Sequence, residues 1–85
     1  MKILQDEFSI RTSARNQIID ITRQVATLVE DSGIADGDVI VYCPHTTGAI
    51  TINENADPDV VHDLLLTFGE LFPQDRRGYR HSEGN

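Results

Sequence analysis

Pro44 divides the most strand-like stretch of the chain in two. Before it, Val39-Ile40-Val41-Tyr42-Cys43 is a run of β-branched and apolar residues. After it, residues 47–53 alternate, with Ala49, Thr51 and Asn53 on one face and Gly48, Ile50 and Ile52 on the other. Proline has no N–H for a sheet ladder, so it sits at strand ends, edges or bulges. The spacing predicts a buried strand over 38–42, a break at Pro44, and a second strand over 47–53. Such a break frees backbone amides and points side chains into a cleft.

The flanks of this stretch follow the same reasoning. Residues 2–12 alternate loosely and predict a strand with one polar face. A polar turn over 13–16 leads to a short Ile-rich strand over 17–21. Residues 22–32 read as a helix with Thr22 as N-cap, and Ile21, Val25, Leu28 and Val29 fall on one face. Gly33 follows as the left-handed stop that helices favour, with Ile34 folding back on the last turn. Residues 35–38 form a turn. Asp57-Pro58 is a strong helix start, with Asp57 as cap, proline at the first position and Asp59 in the positive first turn. That helix runs to about Leu71, with Val61, Leu64, Leu65, Phe68, Leu71 and Phe72 as its apolar stripe, and Pro73 ends it. The tail from residue 74 is polar and aperiodic.

Length and composition narrow the function classes. Eighty-five residues allow one domain, and a chain this short buries only about 60–65% of its unfolded surface. The core therefore has little surplus without partner subunits or further chain. Purely apolar runs such as Val39-Ile40-Val41 and Leu64-Leu65-Leu66 are too short to span a bilayer. No basic segment followed by an apolar stretch opens the chain, so a secretory leader is not expected. One Cys cannot form an internal disulfide, and a cytoplasmic setting is the expectation. A net charge of -7 argues against nucleic acid as partner, because neutralising phosphates takes surplus Lys and Arg. Arg76, Arg77 and Arg80 nonetheless form a local basic cluster.

Three stretches carry chemistry-bearing residues. In Pro44-His45-Thr46-Thr47-Gly48 the imidazole is suited to ligate a metal or move a proton, and the hydroxyls to hold phosphate or carboxylate oxygens. The bland alternative is a turn histidine beside ordinary strand-forming threonines. In Asn53-Glu54-Asn55-Ala56-Asp57-Pro58 a carboxylate and two carboxamides lie between a strand end and a helix N-terminus, where free amides attract anions. Asn53 is suited to orient a ligand and Glu54 to act as base or ligand, although Asx-rich turns commonly only cap. In Tyr79-Arg80-His81-Ser82-Glu83-Gly84-Asn85, His81 and Glu83 lie two apart and share a side of an extended backbone. A mixed histidine and carboxylate metal site suits that pair, and a solvated terminus is the alternative. The polar content of these stretches makes sense at a shared site, so His45 and His81 are expected on one cleft. His62 reads as a surface histidine and Cys43 as a small buried hydrophobe.

Together, Pro44-His45-Thr46-Thr47-Gly48-Ala49-Ile50-Thr51-Ile52-Asn53-Glu54, Ala56-Asp57-Pro58-Asp59-Val60 and Tyr79-Arg80-His81-Ser82-Glu83-Gly84-Asn85 resemble the YjbQ family, also described as secondary thiamine-phosphate synthase enzymes. The resemblance covers essentially the whole chain. It implies a single α/β (α+β) domain over 1–85, an antiparallel β-sandwich with two helices. Family members continue past the Glu-Gly-Asn motif, so the resemblance implies the N-terminal part of the domain, with the C-terminal strands missing. It further implies a homotrimer, a small phosphorylated substrate, and a divalent metal, zinc or magnesium. The reaction joins hydroxymethylpyrimidine diphosphate to thiazole phosphate with loss of diphosphate. On this reading His45, His81, Glu54 and Glu83 are the catalytic candidates, and His45 and His81 the metal ligands. Thr46, Thr47, Asn53, Arg80 and Asn85 hold substrate and phosphate. The competing reading is a non-catalytic metal- or anion-binding protein or an inactive remnant.

Overall fold

The computed structural model describes residues 1–53, 57–73 and 76–80. Two helices form among them, α1 (Thr22–Asp31) and α2 (Pro58–Leu71). The chain divides into two units, Met1–Asn53 around α1 and Glu54–Asn85 around α2. No helix among the described residues is long and apolar enough to cross a membrane.

In the first unit the start of α1 departs from expectation. Its N-cap is Ile21, which makes no side-chain cap bond. The Thr22 amide instead donates to Asp20 Oδ1 at 2.9 Å. The upstream carboxylate thus satisfies one of the free amides at the helix start. The other end is as read. Gly33 has φ +70, the left-handed geometry glycine adopts without a Cβ penalty, and its N–H donates to Glu30 O. The Ser32 hydroxyl donates to Val29 O at 2.6 Å and accepts from the Ile34 amide at 3.1 Å. This draws Ile34 back as a half-buried residue.

Lys2 Nζ donates to Ser32 O at 2.7 Å, placing a cation on the negative end of α1. Phe8 meets Arg23, Gln24, Thr27 and Leu28 around an open groove of about 470 Å³. The N-terminal segment therefore runs antiparallel to α1, with residue 2 at the helix C-terminus and residue 8 further towards its start. The polar turn at 13–16 is closed by the Ser13 amide donating to Gln17 Oε1 at 2.9 Å.

In the second unit, Asp57 Oδ1 accepts from the Asp59 amide at 2.9 Å, with Pro58 at the first helical position. The helix ends where Phe72 leaves helical geometry, its amide still donating to Phe68 O at 2.8 Å before Pro73. Val60, Val61, Leu64 and Leu65 are half-buried, whereas Leu66, Phe68, Leu71 and Phe72 are exposed. His62 lies on the surface as read, its Nδ1 3.1 Å from Asp63 Oδ1.

The expected antiparallel β-sandwich is not what forms: among the described residues there is no strand. Residues 2–12, 17–21, 38–42 and 47–53 carry strand-like patterning but no ladder. Outside the helices, backbone hydrogen bonds among the described residues join partners only three or four positions apart. The physical reason lies in what a strand is. A helix satisfies its amides within its own segment, but a strand satisfies them only through a neighbour, and short isolated pairings are marginal in water. Alternating side chains mark a segment as able to pair without supplying its partner.

The exposed area tells the same story. Scaling area with mass, a compact 9.5 kDa protein exposes roughly 5,000 Å², and two separately compact units of these lengths roughly 6,000 Å². The chain exposes 8583 Å². None of the described residues is buried. Val39, Val41, Ile50 and Ile52 are exposed by 57%, 39%, 42% and 101%, so residues 38–42, expected as a buried strand, are neither buried nor a strand.

Two outcomes follow. Size-exclusion chromatography with a thermal melt of the 85-residue chain should show an expanded or self-associated species without a sharp transition. A compact monomer melting cooperatively above about 60 °C, high for an ordinary domain, contradicts that. Asp57→Ala should cost about 1 kcal/mol of α2 stability, the usual value of a lost N-cap, seen as reduced helical signal in circular dichroism at low temperature.

Candidate functional site

Pro44 fixes its own φ and ends the apolar run, so the chain must turn immediately after Cys43. It does so over 45–48, where the Gly48 amide donates to His45 O at 3.2 Å. Thr46 and Thr47 are the central turn residues, and His45, Thr46 and Thr47 are all exposed. The turn packs too closely for a side chain at its last position. A Cβ on Gly48 would lie 2.6 Å from Cys43 Sγ and 3.7 Å from His45 Cβ. Cys43 is a free, half-buried thiol, its sulfur against the Gly48 backbone. It is neither fully buried nor in a strand, as the sequence pattern had suggested. Sequence reasoning placed Gly48 on a strand face and missed this turn. The signal was present in the Pro44 to Gly48 spacing, since those two residue types punctuate turns.

A second turn lies in the other unit. The Tyr79 amide donates to Arg76 O at 3.0 Å, and Gly78 has φ +101, the positive value a type II turn needs at its third position. The Arg76 guanidinium carbon sits 5.9 Å from the centre of the Tyr79 ring, within cation–π range. Arg77 and Arg80 are exposed and form no ion pair among the described residues. One short turn thus presents three positive charges on a chain whose net charge is -7. This turn was read as an aperiodic tail, although Gly78 marks it.

The structure places His45, Thr46, Thr47 and Asn53 in the first unit and Arg80 in the second. Glu54, His81, Glu83 and Asn85 lie outside the described residues, and with them the expected approach of His45 to His81. Among the described residues no group of three or more His, Cys, Asp and Glu comes together to hold a metal. The groove lined by Phe8, Arg23, Gln24, Thr27 and Leu28 contains none of the expected site residues. Chemically, the 45–48 turn offers an unencumbered imidazole beside two hydroxyls, and the 76–80 turn offers guanidinium groups for an anion.

Comparison with known proteins gives these turns their setting. The family described as UPF0047 protein YjbQ-like matches residues 6–85, and the chain belongs to this family. UPF0047 protein YugU of Bacillus subtilis is 51% identical over 76 residues, which are 89% of this chain and 58% of YugU. A UPF0047 protein of Methanocaldococcus jannaschii is 40% identical over 79 residues, covering 93% of this chain and 56% of the relative. A third, from Archaeoglobus fulgidus, is 43% identical over 75 residues, 88% of this chain and 56% of the relative. The chain thus spans a little over half the length of these curated relatives. No solved structure matches it.

The close approach at Gly48 is testable. Gly48→Ala should displace the Cys43 sulfur and raise the rate of its reaction with a soluble disulfide reagent several-fold, with Cys43→Ala as the blank. An unchanged rate means that the turn is looser than 2.6 Å between that Cβ position and the sulfur implies.

Proposed function

We propose that the chain serves a thiamine-phosphate synthase-type transfer, joining hydroxymethylpyrimidine diphosphate to thiazole phosphate. The observation that carries this reading is the 45–48 turn, which holds an exposed imidazole and two hydroxyls on one hydrogen-bonded bend within the family's longest motif. In this reaction the bond from the pyrimidine's methylene carbon to the diphosphate oxygen breaks, and the thiazole nitrogen forms the new bond to that carbon. The leaving diphosphate must be neutralised as its charge develops. Arg80 is proposed for that role, with Thr46, Thr47, Asn53 and Asn85 holding phosphate oxygens. His45 and His81, with Glu54 or Glu83 as carboxylate partner, are proposed as the acid–base groups. A divalent metal, zinc or magnesium, belongs to the proposal through His45 and His81 and would supply charge neutralisation. The described donor set does not by itself make a metal site, so no step is routed through one. The proposed working form is a cytoplasmic homotrimer with sites near subunit boundaries.

A second reading is a binder of metal or small anions without turnover, supported by the exposed guanidinium groups of Arg77 and Arg80. Calorimetric titration with zinc, magnesium and inorganic diphosphate separates the two when paired with a diphosphate-release assay. Turnover supports the enzyme, and binding without turnover supports the binder.

If the first reading holds, His45→Ala and Arg80→Ala should each lower diphosphate release by about a hundredfold, the scale of losing one group that stabilises developing charge. Rescue of a thiamine auxotroph by YugU but not by this chain rejects the enzymatic reading for the chain itself.

A further inference from the structure

We propose that the 76–80 turn of the second unit binds a small aromatic anion, a heteroaromatic ring carrying one or two phosphates, with Tyr79 taking the ring and Arg77 and Arg80 the phosphate. The turn is closed by the Tyr79 amide on Arg76 O at 3.0 Å, and the φ of +101 at Gly78 sets its bend. This closure brings residues 76 and 79 together, and the Arg76 guanidinium carbon lies 5.9 Å from the centre of the Tyr79 ring. Tyr79 is nonetheless 50% exposed. An aromatic ring with a guanidinium on one face and free surface beside it is a stacking platform, the feature on which single-strand binders seat a base. Arg77 and Arg80 flank it, exposed and without an ion pair among the described residues. A planar guanidinium offers paired N–H donors that match two phosphate oxygens.

The charge around the turn sets the size of the ligand. Helix α2, which precedes it, carries Asp59, Asp63 and Glu70 and no Lys or Arg. The whole chain has 14 acidic residues against seven basic. An extended polyanion would gain the arginines of this turn and then meet those carboxylates. A compact anion gains the arginines alone. The ring separates such a ligand from inorganic phosphate, which has nothing to lay on Tyr79. The pyrimidine diphosphate of the proposed reaction is one member of this class, so the assignment deepens that reading and rests on it for the role of Arg80. What it adds is Tyr79 as the residue that holds the ring, with Arg76 and Gly78 positioning it.

The test titrates the full 85-residue chain by calorimetry with uridine 5′-diphosphate and with its two fragments, uridine and inorganic diphosphate. The whole molecule should bind at least about tenfold more tightly than inorganic diphosphate, the scale of one ring stacked on an aromatic side chain. Uridine, without phosphates for the arginines, should be weaker still. Tyr79→Leu should erase the advantage over inorganic diphosphate without weakening inorganic diphosphate itself, and Tyr79→Phe should keep it. Arg77→Gln should weaken both phosphorylated ligands. Gly78→Ala should weaken both as well, through the backbone alone, because its methyl would meet no atom within 4 Å. Equal affinity for uridine 5′-diphosphate and either fragment overturns the proposal, as does a preference that survives Tyr79→Leu. Binding that Gly78→Ala leaves untouched, or no binding at all, overturns it too. A Tyr79-dependent preference in a chain that releases no diphosphate rejects the transfer reaction and leaves the ring site standing. Diphosphate release that Tyr79→Leu does not slow, with equal affinities, rejects the ring site and leaves the reaction standing.

Discussion

Backbone pairing is the constraint on which this structure turns. Every amide and carbonyl must find a partner in the protein or in water. A helix finds its partners inside its own segment; a strand depends on another segment to provide them. Among the described residues the chain has settled the first demand and not the second. The two helical segments close their own hydrogen bonds, while the β-rich stretches around Pro44 make only local turns. Exposed Val39, Ile40, Ile50 and Ile52 are the direct consequence, because side chains of an unpaired segment have no face to pack against.

The same distinction separates what was legible in the sequence from what was not. The end of α1 at Gly33 and the start of α2 at Asp57 and Pro58 were readable, because each depends on one residue's backbone freedom or one side chain's reach. The α1 cap was misread because the helix starts one residue earlier than read: Ile21 is the cap, its carbonyl accepts from the Val25 amide, and Thr22 already lies in the first turn. The sandwich was misread for a larger reason. Alternation at 47–53 reports which face of a strand would be apolar, and nothing local reports whether a partner strand exists. The resemblance supplied the family correctly, since its motifs are long and run through residues 44–54 and 79–85. It brought with it a sheet that the described residues do not form.

The candidate site divides in a similar way. His45, Thr46 and Thr47 were picked out by residue type, and the turn that presents them was hidden by reading Gly48 as part of a strand. The turn leaves no room for a side chain at Gly48, where a Cβ would lie 2.6 Å from the Cys43 sulfur, and no periodicity reveals that. Arg80 was picked out beside a tail thought aperiodic, whereas Gly78 bends it and the Arg76 guanidinium lies within cation–π range of Tyr79. Each turn is complete within its own unit.

Amide hydrogen exchange on the 85-residue chain tests this account most directly, because protection reports which backbone hydrogen bonds persist residue by residue. The account predicts measurable protection only within α1 and α2 and exchange at free-peptide rates through residues 38–42 and 47–53. Slow exchange in those two stretches, at rates shared by both, would contradict it by showing a cooperative sheet in the chain alone.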